Sequence, residues 1–368
     1  MRIPYSYLKR QFAEVEPYLE GIKAVVAKGD FTLGQAVAEF EANFARLLGL
    51  PFAVGVASGT DALLLCLKAA GIGPGDEVIT APNTFIATVG AIVMAGARPV
   101  FVDNNENYTI DVTKIEAAIT PKTKAIMPVH LTGRPADMPA IMAIAERHGL
   151  CVIEDAAQAI LAAIDGRSVG SFGLAAGFSL HPLKNLNVWG DGGVIVTTSA
   201  ELAERLRLWR NHGLVGRDEV AFFGHNSRLD SIQAAVANQL LPQVEAITQA
   251  RIANARRFDQ AFADLAEFIT LPRRDPKVRE VFHTYVIQVK DRDRLYEHLR
   301  QKGIEAKIHY PIPLHLQEAA RHLGYKEGDF PVCERHCRTI LSLPVHQHLT
   351  EAEISYVIEQ VKGFYLGG

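Results

Sequence analysis

From residue 53 onward the chain alternates short apolar runs with segments of helical period, and no other feature restricts the available folds as much. Strands are expected at residues 53–56, 77–80, 99–103, 125–130 and 151–154, with helices between them at 61–70, 85–95, 112–119 and 138–148. Strand and helix in strict succession imply right-handed crossovers, hence a mainly parallel sheet covered on both faces. Ligands of such sheets bind beyond the carboxyl ends of the strands. A length of 368 residues exceeds one compact core, so the α/β chain divides into a large sheet domain, residues 1–245, and a smaller C-terminal α/β domain, residues 246–368.

The flanks follow the same reading. Helical spacing covers residues 8–27 and 37–48, the second helix ending at Gly49. Beyond residue 200, a helix at 202–212 leads into a loop rich in Gly, Arg and Phe that reaches Asn226, and a long helical pattern from Asp230 carries the chain into the second domain. There, strands are expected at 283–289 and 304–310 and helices at 292–302 and 350–364.

Composition removes several classes of function. A net charge of −3 gives no electrostatic case for nucleic acid or an acidic membrane surface. No run approaches the ~18 apolar residues of a membrane span, and the N-terminus lacks the apolar core of a signal peptide, so a cytoplasmic protein is expected. Four cysteines do not make a disulfide framework. Cys333 and Cys337 flank His336 but lack the second ligand pair of a zinc site; they read as buried small side chains, and no metal is expected.

The chemistry centres on residues 177–196. An apolar strand ends at Ser179, Pro182 forces the chain out of sheet pairing, and Lys184 follows on a turn. Gly190-Asp-Gly-Gly193 supplies backbone freedom for a reversal into the next strand at 194–196. A desolvated lysine there can attack a carbonyl as a neutral amine, whereas a solvated loop lysine could not. Partners decide between the two, and three other strand ends supply them.

At Ser58-Gly59-Thr60-Asp61 a strand passes through small residues into a helix, so that free backbone N–H groups and the Thr60 hydroxyl can face an anion. At Glu154-Asp155 an acid ends a buried strand, where it can hold a pyridinium nitrogen protonated, with Gln158 one turn on to reach a phenolic oxygen. Phe85, after the strand at 77–80, can stack on a planar ring. Taken singly, these residues read more simply as helix caps and core packing. Together with Lys184 they match the needs of pyridoxal 5′-phosphate.

Ser58-Gly-Thr-Asp-Ala62, Glu154-Asp-Ala-Ala-Gln-Ala159, Phe178-Ser-Leu-His-Pro-Leu-Lys-Asn185, Gly190-Asp-Gly-Gly193, Asn226-Ser-Arg-Leu-Asp230 and His309-Tyr-Pro-Ile-Pro-Leu-His-Leu-Gln317 resemble the DegT/StrS family of sugar aminotransferases along essentially the whole chain. The resemblance implies the type I, aspartate-aminotransferase-like fold and a homodimer with composite sites. It implies that Lys184 bonds the cofactor, Asp155 pairs with its ring nitrogen, Gln158 contacts the ring oxygen and Phe85 stacks on the ring. Gly59, Thr60 and Ser179 would hold the phosphate, joined by Asn226 from the partner subunit. His309, Tyr310 and His315 would line the substrate side. The implied reaction moves an amino group from L-glutamate (or L-glutamine) to a keto sugar carried on a nucleotide, with the 309–317 segment resembling members that act on 3-keto sugars. One departure stands out: Leu161 replaces a family glycine expected near the cofactor edge. A sugar dehydratase of the family would carry histidine at position 184; a cyclitol aminotransferase, or a cofactor-binding regulator without turnover, fits the same motifs.

Overall fold

The computed structural model describes residues 1–367. Seven strands form the main sheet: β1 (Phe52–Val56), β2 (Glu77–Thr80), β3 (Arg98–Phe101), β4 (Thr123–Ile126), β5 (Cys151–Asp155), β6 (Ala175–Ser179) and β7 (Gly193–Thr197). They lie in the order β1-β7-β6-β5-β4-β2-β3, and only β7 runs against its neighbours. The two-residue period of the strands sorts their side chains into two cores. Phe178, Val194 and Val196 face one way, against Phe40 and Phe44 of α2 (Gln35–Leu48), with α1 (Glu16–Lys28) and α7 (Ser231–Leu240) outside them. Ala175 and Ile195 face the other way, under α3 (Gly59–Ala69), α4 (Ile86–Ala95) and α6 (Ala200–Trp209). Helix α5 (Met138–His148) covers β4 and β5.

Helix α8 (Val244–Phe262) links two cores: Val244 and Ile247 pack in the first, while Ile252, Phe258 and Phe262 pack in a second. The second core surrounds a three-stranded antiparallel sheet, β8 (Ile269–Thr270), β9 (Tyr285–Val289) and β10 (Ile340–Leu343), with α9 (Arg292–Gln301) and α11 (Glu351–Leu366) against it. Ile3 belongs to it too, bridged to Ile304.

Four stretches differ from what the sequence pattern predicts. Residues 8–27 break into Leu8–Gln11 and α1, because Pro17 in the first turn of α1 starts a helix rather than continuing one. Residues 112–119 form two 3₁₀ turns, Val112–Lys114 and Glu116–Ala118; the β-branched Val112, Thr113, Ile115 and Ile119, with Pro121 beyond, leave a full α-helix unfavoured. The pattern from Asp230 breaks between α7 and α8 at Pro242, which has no N–H to donate. Residues 304–310 are not a strand: they make only isolated bridges, Ile304 to Ile3 and Lys307 to Ser342. Helix α10 (Pro331–Thr339) and β10 have no counterpart among the expected elements. Cys333 and Cys337 are buried free thiols on α10, in keeping with their spacing. Among the described residues no helix is long and apolar enough to cross a membrane.

Candidate active site at the strand ends

Lys184 stands on the turn between β6 and β7, its N–H donating to the His181 carbonyl at 2.8 Å. Its own carbonyl accepts from the Tyr7 hydroxyl at 2.7 Å and from Asn187 Nδ2 at 3.1 Å, so the backbone under the side chain is tied on both sides. Burial lowers the amine pKa to about 8 against the opposing pull of Asp155. A neutral amine is therefore accessible near neutral pH, as nucleophilic or proton-transfer work requires.

Asp155 ends β5 and is buried. Oδ2 accepts from Thr88 Oγ1 at 2.6 Å, and Oδ1 from the Ala157 N–H at 3.1 Å. Thr88 in turn shares a hydrogen bond of 2.8 Å with Thr84. Burial raises the carboxyl pKa, while these bonds, Lys184 and His130 pull it down. A cationic ring nitrogen beside it would add a favourable charge in a poorly solvated place. Glu154, one residue earlier, points to the other face: it accepts from the Gly170, Phe172 and Gly173 N–H groups at 2.8–2.9 Å and pairs with His130 Nε2 at 3.0 Å.

The start of α3 meets the end of β6. Ser58 caps the helix by accepting from the Asp61 N–H at 3.0 Å. A Cβ on Gly59 would come within 2.6 Å of Ser179 Cβ, so only glycine lets the helix N-terminus and Ser179 close on each other. Thr60 follows on the first turn, half-buried. The Gly190-Asp-Gly-Gly193 run works partly by the same device: a Cβ on Gly193 would stand 2.2 Å from the Ser58 carbonyl oxygen, and of its glycines only Gly190 has positive φ. Close approach, more than a reversal, explains that glycine.

Gln158 Oε1 accepts from the Thr132 N–H at 2.7 Å, and its amide neighbours the Tyr310 hydroxyl. Gln158, Ser179 and Lys184 line one cavity. Phe85 is 52% exposed, unusual for a ring beside a core helix, and faces Tyr310 at 6.1 Å between centroids. His309 Nδ1 bonds Ser342 Oγ at 2.9 Å, and burial together with Lys184 lowers its pKa to about 4, so it is neutral at pH 7. A helix N-terminus for an anion, a desolvated lysine, a buried acid and an open aromatic ring fit pyridoxal 5′-phosphate.

Three residues singled out by the sequence motifs sit apart from this group. His315 does not reach the cleft: it is buried, bonded through Nε2 to Glu334 at 3.1 Å and set edge-on to Phe330, where it fastens the chain to α10. Leu161 does adopt the left-handed backbone suited to glycine, with φ of 65°. Its side chain, however, lines a separate cleft of about 1070 Å³ beside Arg134 and Phe282 instead of the cofactor edge. Asn226 is exposed, on a loop whose next residue, Ser227, bonds Asp61 at 2.8 Å. Thr88 and Tyr7 join the site without having been marked by any motif. Thr88 lies four residues after Thr84, one before and one within the first turn of the apolar helix α4, a small polar pair that could have signalled it; Tyr7 has no local signal.

The model of the DegT/DnrJ/EryC1/StrS aminotransferase family matches residues 14–362. A UDP-N-acetyl-3-dehydro-alpha-D-glucosamine 3-aminotransferase of Acidithiobacillus ferrooxidans is 44% identical, over 98% of this chain and 97% of its own length. A pleiotropic regulatory protein of Geobacillus stearothermophilus is 43% identical, over 99% of each chain. The crystal structure of S. venezuelae DesV, in complex with a ketimine intermediate, superposes with a TM-score of 0.96 at 42% identity, covering 99% of this chain and 98% of that one.

Proposed function

Since the chain belongs to the DegT/DnrJ/EryC1/StrS aminotransferase family, we propose that it transfers the amino group of L-glutamate to a nucleotide-linked keto sugar, at the sugar's 3-position. It is an aminotransferase of the type I fold, and its cofactor is pyridoxal 5′-phosphate. The observation that carries the proposal is Lys184, desolvated to a pKa of about 8 and facing the buried Asp155. The 3-position draws on the activity for which the A. ferrooxidans relative is named.

In this reading Thr60, Ser179 and the N–H groups at Gly59 hold the cofactor phosphate, Phe85 covers the ring face, Gln158 meets the ring oxygen and Asp155 meets the ring nitrogen. When bound, the cofactor supplies an electron sink for the bond that breaks at the substrate carbon. Lys184 Nζ accepts the proton from the donor's α-carbon and, in the return half, delivers one to the sugar carbon that gains the amine. His309 and Tyr310, beside the lysine, face the substrate.

The chain would work as a cytoplasmic homodimer, with α8 connecting domains that divide at residues 245 and 246. Asn226, exposed and without a side-chain hydrogen bond among the described residues, would reach the partner's phosphate. Mixing Lys184→Ala and Asn226→Asp chains, each inactive alone, should restore up to half the activity per mixed dimer, since one site then carries neither defect. A dead mixture would place the whole site within one chain.

The sugar assignment is tested by offering the amine-loaded enzyme nucleotide-linked 3-keto and 4-keto sugars and keto cyclitols, following loss of the amine-form absorbance. Turnover of cyclitols alone would overturn it. The name of the Geobacillus relative suggests a regulator, but a lysine held desolvated beside a buried acid has no use in one.

A further inference from the structure

Behind the lysine turn lies a second polar site that the amine-transfer steps leave unused. Arg251, on α8, is 1% exposed and has no carboxylate partner among the described residues. Its Nε donates to Gln347 Oε1 at 3.0 Å and its Nη1 to the Phe282 and His283 carbonyls at 3.2 Å, while Nη2 bonds none of the described residues. Nη2 is not alone. The Tyr5 hydroxyl, His283 Nδ1, the Thr284 hydroxyl and His346 Nδ1 are likewise buried without a partner, and all five residues line one cavity of about 50 Å³.

Arg251 Nη2 and the Tyr5 and Thr284 hydroxyls can donate a hydrogen bond, and His283 Nδ1 can in one tautomer, whereas His346 Nδ1 accepts, because the Nε2–H of that neutral ring is given to the Pro4 carbonyl at 3.3 Å. Burial keeps His283 and His346 neutral and the Tyr5 hydroxyl protonated, so the guanidinium is the only charge among these five residues. A buried cation with no counter-ion, beside the unused Tyr5 and Thr284 hydroxyl donors, is costly unless water or an anion completes it, and an anion also supplies the missing charge. A cavity of about 50 Å³ has room for water or for the head of a carboxylate.

The cavity also adjoins the reaction centre. Leu183, next to Lys184, His309, next to Tyr310, and Tyr7 also line it; the Tyr7 ring lies 5.0 Å from the Arg251 guanidinium, and its hydroxyl donates to the Lys184 carbonyl. We propose that the Arg251 cavity receives a carboxylate of the incoming amino donor and so fixes the donor's reacting carbon beside Lys184. This rests on the reading of the chain as a transaminase with an amino-acid donor and names the residues that recognise that donor.

The probe is glutarate, a dicarboxylate that has no amine and cannot react, titrated calorimetrically into the cofactor-loaded enzyme. Wild type should bind it, Arg251→Gln at least 100-fold more weakly, and Tyr5→Phe, which removes a single hydroxyl, about 5- to 10-fold more weakly. Glutarate should also raise the pH midpoint of the cofactor's absorbance in wild type, because a nearby anion favours the protonated nitrogen, and leave it unmoved in Arg251→Gln. If Arg251→Gln does not fold, Tyr5→Phe decides alone. Equal affinity in wild type and Tyr5→Phe, or no binding by wild type, would overturn the proposal and leave a hydrated cavity. The sugar reading fails separately: loss of amine transfer to nucleotide-linked keto sugars with glutarate binding intact refutes it and not the cavity, and the reverse pattern refutes only the cavity.

Discussion

Two buried polar regions flank Lys184, and they are finished to different degrees. At the end of β5, Glu154 holds three backbone N–H groups and His130, and both oxygens of Asp155 have protein donors. Around Arg251, five buried polar atoms have no partner among the described residues. Buried polar groups in folded chains are nearly always paired, so the contrast separates a region the chain completes by itself from one that a ligand completes. The first orients the machinery. The second recognises what enters.

The largest effect should come where both regions converge. Lys184→Ala removes the base and the amine, and amine transfer should fall about 10³- to 10⁴-fold or more, measured as single-turnover loss of the cofactor's aldehyde-form absorbance with glutamate. Asp155→Asn keeps the shape and removes the charge; the same half-reaction should slow by ~10²-fold or more while cofactor still binds. Near-normal rates would reduce Asp155 to a bracket for the Ala157 turn.

Glu154→Ala tests whether the β5 region is structural on its other face. Three N–H groups lose their acceptor in a dry place, so stability should drop by about 3 kcal/mol or more, read as a fall in denaturation midpoint with kcat of the folded fraction little changed. A loss of rate without loss of stability would break the distinction between the two faces of β5.

The Lys184 amine makes a pH prediction for the apo-protein. Its folded pKa of about 8 lies below the ordinary lysine value of 10.5. Between those values the unfolded chain binds the extra proton, so this group makes stability rise with pH from about 8 to 10.5, and contributes no slope below 8, where both states are protonated. Denaturant melts of wild type and Lys184→Met across that window should differ in slope, the variant being flatter. The smallest effect is expected of Thr88→Val. Loss of the donor to Oδ2 raises the Asp155 pKa further, so the acid limb of the half-reaction profile should move to higher pH, with a rate loss of about 5- to 10-fold; Thr88→Ser should restore both.

Much of this site is legible in the sequence because its parts are local. Lys184 follows a strand and a proline, Asp155 ends an apolar run, and Ser58 to Asp61 joins a strand to a helix; each can be recognised from a few neighbouring residues. His315 misleads for the complementary reason. A histidine just after two prolines, in a segment that resembles a substrate-lining one, looks available, yet Glu334, on a helix that the sequence pattern does not reveal, draws it into the core. Leu161 can be recognised as sitting in a glycine's backbone conformation, but the direction of its side chain depends on how residues 134 and 274–282 fold back over it.

What the sequence determined by itself is therefore the alternating sheet, the order of the strand ends and the chemical type of the group at each, since these follow from backbone period, chain stiffness at proline and glycine, and the charge of single residues. Only the tertiary structure decided that Tyr7 ties down the lysine turn from 177 positions away, that Thr88 reaches Asp155 across 67, and that Tyr5, Arg251, Thr284 and His346 share one cavity. Contacts between distant residues arise from the packing of whole elements, and nothing in the local chain records which of many polar side chains will be buried together.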